Sequence, residues 1–349
     1  MSADLTPADR RLLDRVQAGV PLVELPFAAI AGELGIAEAD VLERLERFAE
    51  SRVLRQIGAI FDTRACGYAS ALVAAHAAPE RLERAAEVVA LHPGVSHCYE
   101  RDHAWNLWFT LAVPPTSTLG FDGTVARLGD LAGTDAIRIL PALRTFKIAA
   151  RFSMDEEGGQ GERGASTTPP ASTRPAGTAR LTSEEIAVIR VLQRPLALVE
   201  EPFVEPAREA RMSVAELLVH AKGLGDRGVM RRFAGLLNHR RAGFGANVMA
   251  TWGLAADRIE EAGRRAAEFP AVTHCYERPV FAGWPYALFS MVHGKSRDEC
   301  VDVVEALREA LRPDCAATLW TLREFKKTRL QLFTSDYDRW EASAVEAAR

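Results

Sequence analysis

No run of about 18 apolar residues occurs in this 349-residue chain, so no helix long enough to cross a membrane is expected. The N-terminus, Met1-Ser-Ala-Asp-Leu-Thr-Pro7, has no basic region followed by an apolar core, so no secretion signal is expected either. Cysteine is scarce. Cys66, Cys98, Cys275, Cys300 and Cys315 are odd in number and include no Cys-x-x-Cys pair. That argues against a disulfide framework and against a zinc cage, and no residue is assigned as a metal ligand. Excess basic charge is missing too: the formal charge is −4, where a polyanion-coating domain would show a basic footprint. These absences point to a reduced, cytoplasmic setting with no membrane and no nucleic-acid partner.

What the chain does have is a repeat. His97-Cys98-Tyr99-Glu100-Arg101 returns as His274-Cys275-Tyr276-Glu277-Arg278, preceded by Pro93-Gly94-Val95 and Pro270-Ala271-Val272. Val53-Leu54-Arg55-Gln56-Ile57-Gly58 matches Val229-Met230-Arg231-Arg232-Phe233-Ala234, and Gly67-Tyr68 matches Gly243-Phe244. Leu143-Arg-Thr-Phe-Lys147 is answered by Leu322-Arg-Glu-Phe-Lys326.

In chain order, Thr6-Pro7-Ala8-Asp9 reads as an N-cap, a first-position proline and an acidic first turn. Leu12, Leu13 and Val16 then recur at helical spacing. A short helix to Gly35 and a third with Val41, Leu42, Leu45 and Phe48 inward complete a helix-turn-helix. Its recognition helix carries Glu38, Asp40, Glu43 and Glu46 against Arg44 and Arg47. Negative charge where phosphates would lie opposes DNA binding, so the unit reads as structural or dimerising. The second copy, around Ser213 to His220, is scarcely basic.

Period-2 stretches follow at Ala59–Asp62 and Ser70–Ala75, then a helix over Pro79–Leu91 and strands over Val95–Arg101 and Trp105–Val113. A weaker helix, Ser117 to Leu131, leads to a last strand, Ala136 to Ile148. Strand, helix, strand, strand, helix, strand is the ferredoxin-like arrangement, so the fold class is α+β. The expected domains are 1–57 (winged helix-turn-helix), 58–153 (ferredoxin-like), 154–179 (Gly/Ser/Thr/Pro-rich linker), 180–233 (second helix-turn-helix) and 234–335 (second ferredoxin-like), with a tail at 336–349. The tandem amounts to an intramolecular pseudo-dimer, which could pair further as a homo-oligomer.

Alternation along a strand places His97, Tyr99 and Arg101 on one face and Cys98 and Glu100 on the other, and the same holds for His274, Tyr276 and Arg278. Arginine fixes carboxylates with a bidentate fork, and aromatic walls hold planar rings. The set suggests a flat apolar ligand with an anionic rim. A lone strand histidine or arginine is more often a hydrogen-bonded structural residue, and duplication could equally preserve a dimer contact. Trp105, Trp108 and Phe109 read as core on at least one face, and Cys98 and Cys275 as buried, inert thiols.

The layout resembles the Lrp/AsnC regulators, and the motifs resemble a non-regulatory branch of that family, the siroheme decarboxylases. The resemblance rests on His97-Cys-Tyr-Glu-Arg-Asp-His103 with Asn106-Leu-Trp-Phe-Thr110, and on His274 to Arg278 with Trp284-Pro-Tyr-Ala-Leu-Phe289. It also rests on Leu143 to Lys147 and on Arg323-Glu-Phe-Lys-Lys-Thr-Arg-Leu330. Ala287 departs from it, since Asn106 suggests an Asn there. In that family two related subunits pair. Here both look fused, the first half NirL-like and the second NirD-like.

The resemblance implies non-oxidative removal of two acetate carboxyls, at C12 and C18, from siroheme, giving 12,18-didecarboxysiroheme on the way to haem d1 or another haem. It implies no added cofactor, the iron belonging to the substrate. His97 and His274 are the candidate acids or orienting groups, assisted by Tyr99 and Tyr276. Substrate binding is expected from Arg55, Arg101, His103, Trp105, Lys147, Arg231, Arg232, His239, Arg278, Trp284 and Lys326. The rival expectation is an Lrp/AsnC-type transcription regulator sensing a tetrapyrrole or an amino acid.

Overall fold

The structure, a computed structural model, describes residues 5–148, 181–237 and 246–346. The expected linker at 154–179 and the candidate His239 lie outside the described residues. The first half runs α1 (Pro7–Ala18), α2 (Pro26–Leu34), α3 (Glu38–Glu50), β1 (Leu54–Phe61), β2 (Ala69–His76), α4 (Pro79–Leu91), β3 (Val95–Arg101), β4 (Leu107–Val113), α5 (Gly120–Ala132), β5 (Ala136–Leu140) and β6 (Arg144–Ile148). The second runs α6 (Ser183–Leu192), α7 (Val204–Glu209), α8 (Val214–Asp226), β7 (Met230–Leu237), β8 (Ala246–Gly253), α9 (Ile259–Glu268), β9 (Val272–Glu277), β10 (Leu288–Gly294), α10 (Arg297–Leu311), β11 (Cys315–Lys327) and α11 (Ser335–Glu346).

Thr6 caps α1 in a reciprocal box with Asp9, as its sequence predicts. Gly35 ends α2 in the left-handed region at φ 67°, where a side chain would be strained. Asp9 is buried. Its carboxylate takes Arg44 at 2.6 Å and Arg47 at 2.8 Å, so both arginines of the acidic recognition helix α3 are committed inside the unit. Burial alone would raise the Asp9 pKa, but hydrogen bonds from Thr6 and Arg44 and the charge of Arg47 hold it below the usual range. The two helix-turn-helix units share one apolar core, joined by an antiparallel ribbon of β1 and β7 with Ile57 opposite Gly235. β1 is continuous from Leu54 to Phe61, so the segments expected as a wing and a first ferredoxin strand are one strand, and position 57/58 falls in its middle.

The remaining strands form one nine-stranded sheet in the order β5-β2-β4-β3-β11-β8-β10-β9-β6. The first half contributes β5-β2-β4-β3 and the second β11-β8-β10-β9, each four in ferredoxin-like order, and the first half adds a fifth strand, β6, at the far edge of the second. β11 pairs with β8 over Cys315–Trp320 and then with β3 over Thr321–Lys327. The single strand expected over Ala136–Ile148 is broken after Leu140, next to Pro141, which has no N–H to give a ladder. Its first piece stays on β2, while β6 crosses to β9 of the other half. Phe146 of β6 lies so close to α9 that a side chain at Gly263 would collide with its ring at 2.4 Å.

Helices α4 and α5 cover the outer face of the first half, and α9 and α10 that of the second. Between the inner faces lies a core of Ala74, Trp108, Leu140, Met249, Trp284, Phe289 and Leu319, drawn from both halves. Burying each large ring there stabilises by about 3 kcal/mol, so this layer holds the pseudo-dimer together. The expected C-terminal tail is instead a helix, α11, packed on the first half only. Its Glu341 accepts the backbone N–H groups of Thr118 and Leu119 (both 3.1 Å), at the N-terminus of α5.

Candidate functional site

Alternation on β3 and β9 holds. Cys98 and Cys275 point into the helix-side cores, where burial pushes both thiols up to about 12, and both are inert. Glu100 and Glu277 pair with Arg323 (3.2 Å) and Arg144 (3.4 Å) on the exchanged strands. On the other face His97, Tyr99 and Arg101 form a ladder, with rings 6.1 Å apart and the guanidinium 5.2 Å from the Tyr99 ring. His274, Tyr276 and Arg278 repeat it, at 6.1 Å and 4.9 Å.

A bulge precedes each histidine. The register slips between Val95 and His97, and again between Val272 and His274. The extra residue, Ser96 or Thr273, turns its hydroxyl back onto the ring, as bulges re-aim side chains. Ser96 Oγ lies 3.0 Å from His97 Nδ1, and Thr273 Oγ1 lies 2.9 Å from His274 Nδ1. Burial lowers both histidine pKa values; Lys327 adds to the effect at His97 and Glu324 opposes it. Both rings are therefore neutral near pH 7. Burial raises Tyr99, to about 12, and Tyr276, so both phenols keep their protons.

Each ladder ends in a sequestered cation. Arg101 is 4% exposed and donates to the Leu319 carbonyl (3.3 Å) and to Thr321 Oγ1 (2.6 Å) on β11. Arg278 donates to the Leu140 carbonyl on β5. Burial pulls both guanidinium pKa values down to about 10. Neither has an acidic partner among the described residues, and the Nε of each is buried without a hydrogen-bond acceptor. A depression of about 440 Å³ reaches Arg101, His103 and Asn106 but not His97 or Tyr99.

The other sequence candidates fall elsewhere. Lys147 and Lys326 lie on the helix side of the sheet, donating to Phe269 (2.7 Å) and His92 (3.0 Å), the carbonyls that close α9 and α4. This departs from the expected carboxylate-binding role, because each amine serves as a helix C-cap. Arg55, Arg231 and Arg232 sit on the β1–β7 ribbon rather than on the ladder sheet, and Arg231 is spent on Asp62 (Nε to Oδ2, 3.1 Å). Trp284 is fully buried, with the His103 ring 5.1 Å from it and Trp108 at 5.3 Å; Trp105 meets Phe281 edge to face at 5.1 Å. These tryptophans form the interface between halves, not an open pocket wall. Asn106 clamps Ala77 with two hydrogen bonds (2.8 and 3.0 Å), a pin that Ala287 in the second half cannot supply.

Three further groups, Arg64, Lys327 and His293, bear on the ladders. The charge of Arg64, in the first half, acts on Tyr276 of the second, and Lys327 acts on His97 and on His293. The Ser or Thr before each motif histidine was the available signal for the hydroxyl contact.

Fold and site define a fused pair of AsnC-like units whose inner sheet faces carry two half-buried His–Tyr–Arg ladders. Residues 65–147 and 241–326 match the AsnC-like ligand binding domain, and residues 9–55 match the siroheme decarboxylase NirDL-like HTH domain. The chain belongs to the siroheme decarboxylase family. It is 37% identical to the siroheme decarboxylase of Hydrogenobacter thermophilus, over 97% of this chain and 98% of that one. It is 35% identical to the siroheme decarboxylase NirDL subunit of Paracoccus denitrificans, over 86% and 89%. The crystal structure of the siroheme decarboxylase NirDL superposes with a TM-score of 0.79 at 34% identity, covering 98% of this chain and 99% of that one. A co-complex of NirDL with an iron-uroporphyrin III analogue superposes equally well, at 0.79.

Proposed function

We propose that this chain decarboxylates siroheme without oxidation, removing the two acetate carboxyls at C12 and C18, and that the inner His–Tyr–Arg ladders hold and protonate the pigment. The observation that carries this reading is a pair of guanidiniums, Arg101 buried and Arg278 half-buried, with no acidic partner among the described residues and a buried, unused Nε on each. An uncompensated buried cation is costly, and a polycarboxylate ligand supplies the missing counter-charge. Arginine clamped on the reacting carboxylate would stabilise the ground state more than the transition state, which has lost charge. Arg101 and Arg278 therefore hold non-reacting carboxylates.

In the reaction the bond between methylene and carboxyl carbons breaks, carbon dioxide departs, and the electron pair stays on the methylene, spread into the macrocycle. One proton then makes a methyl group. In this reading His97 and His274 deliver it; each is held through Nδ1 by a hydroxyl, which leaves Nε2 for the pigment. Tyr99 and Tyr276, kept neutral, donate hydrogen bonds to the periphery. No further cofactor is needed, because the tetrapyrrole is the electron sink. Anaerobic incubation with siroheme tests this: product mass lower by two carbon dioxide units supports it, and unchanged pigment contradicts it.

A further inference from the structure

Resting on that reading, we infer that His293 recharges the acid of the second ladder, passing a proton to His274 through the hydroxyl of Thr273, and that the first ladder has no such relay. Thr273 Oγ1 lies 2.9 Å from His274 Nδ1 and 3.1 Å from His293 Nδ1. A hydroxyl carries one proton and two acceptor sites, so it can take a proton from one ring while giving its own to the other. The Met291 carbonyl, 3.4 Å away, receives that hydroxyl proton when both rings point N–H groups at the oxygen.

The first half is built differently at the same place. Val95 pairs with Leu111 and Val272 with Val292, which makes Ala112 the counterpart of His293. There Ser96 Oγ joins His97 Nδ1 (3.0 Å) to Thr110 Oγ1 (2.7 Å), and the chain of hydroxyls ends in a group that holds no extra proton near neutrality. The exchanged strands differ as well. Glu324 and Lys327 stand opposite Tyr99 and His97, whereas Thr145 and Ile148 stand opposite Tyr276 and His274. Next to the second histidine there is thus a neutral wall, with a second imidazole behind it.

Every carboxyl removed consumes one proton, so the acid must be reloaded between turnovers. In the relay His274 gives its Nε2 proton to the methylene carbon and takes the Thr273 proton at Nδ1. Thr273 takes the Nδ1 proton of a His293 imidazolium, which becomes neutral; His274 then takes a proton from water at Nε2 and returns its Nδ1 proton through Thr273 to His293, so that the acid is again loaded at Nε2. Nothing is oxidised or reduced. Burial with His274 and Lys327 pushes His293 down to about 4, and its cross-strand neighbour on β8 is the neutral Asn247. A bound polyanion reverses that bias and charges the ring.

The test compares His293→Gln, Thr273→Val and Thr273→Ser in the full chain, following single-turnover decarboxylation of siroheme anaerobically across pH 5.5 to 8.5. Affinity is read in parallel from the pigment's absorbance. We expect His293→Gln and Thr273→Val to slow the reaction about 100-fold with Kd within twofold of wild type. The alkaline fall of the rate that reports His293 should vanish, and Thr273→Ser should restore both rate and profile. Wild-type rate and profile in His293→Gln, or equal activity of Thr273→Val and Thr273→Ser, overturns the relay. Thr273→Val keeps the side chain's shape in a strand, so it remains informative if His293→Gln does not fold. An inactive wild type would instead refute the proposed function.

Discussion

The guanidinium of Arg101, from the first half, donates to the backbone carbonyl of Leu319 in the second, at 3.3 Å. Arg278 makes the reciprocal contact with Leu140. The last residue of each ladder is thus pinned to a backbone carbonyl of the other half, and the site cannot form in an isolated half.

That pin carries a charge with no acidic partner among the described residues. Arg278→Met should therefore leave Tm within a few degrees of wild type, since loss of a hydrogen bond is offset by relief of an unpaired buried charge. Siroheme affinity should fall about 10- to 100-fold, the worth of a charge-assisted hydrogen bond. Unfolding scans and absorbance titrations check both halves of this prediction.

Lys147 and Lys326 should behave in the opposite way. Replacing either with Met removes a cap from α9 or α4 and costs about 1 kcal/mol of stability. Siroheme binding should stay within twofold, because neither amine faces the ladders. A variant that unfolds like wild type but loses pigment would return them to the site.

His92 sets an acid limit on the fold. Its ring is fully buried, Nδ1 accepts from Gly94 N–H (2.9 Å), Nε2 has no partner, and burial with the nearby Lys326 charge pushes it down to about 3. The unfolded ring titrates near 6.5, so between about 6.5 and 3 the unfolded state binds more protons than the folded one. Stability is full above about 6.5 and falls as pH drops through this window, by up to ~1.4 kcal/mol per pH unit for this one group. His92→Asn, which keeps an acceptor for Gly94, should flatten the slope of denaturant-measured stability by as much as one proton.

Pigment binding should take up protons. Burial lowers the pKa values of His97 and His293, and an adjacent polycarboxylate favours their charged forms. Calorimetric enthalpies measured near pH 7 in two buffers of different ionisation heat should then differ, in the sense of uptake. Equal enthalpies would contradict the electrostatic account.

Much of this was legible in the sequence because it is local. Thr6 and Asp9 wrote the α1 cap, and strand alternation separated Cys98 and Glu100 from the His97–Tyr99–Arg101 face. The repeat exposed the pseudo-dimer. Strand exchange was not legible: nothing in Arg144-Thr-Phe-Lys147 says which half it will pair with, and that depends on the break near Pro141 and the groove at Gly263. For the same reason Lys147 and Lys326 read as substrate cations, since without the bulges at Phe146 and Phe325 the face they occupy is ambiguous. The tryptophans read as walls because an inner sheet face between two halves looks, in one dimension, like a pocket lining.

The central claim is that the two motif histidines bring the proton that completes decarboxylation. The direct measurement is the mass of the pigment after anaerobic incubation of siroheme with the His97→Ala/His274→Ala chain, beside wild type and with binding confirmed by absorbance. The account predicts bound siroheme that keeps both acetate carboxyls, while wild type loses two carbon dioxide units. Full decarboxylation at the wild-type rate by the double variant would contradict it.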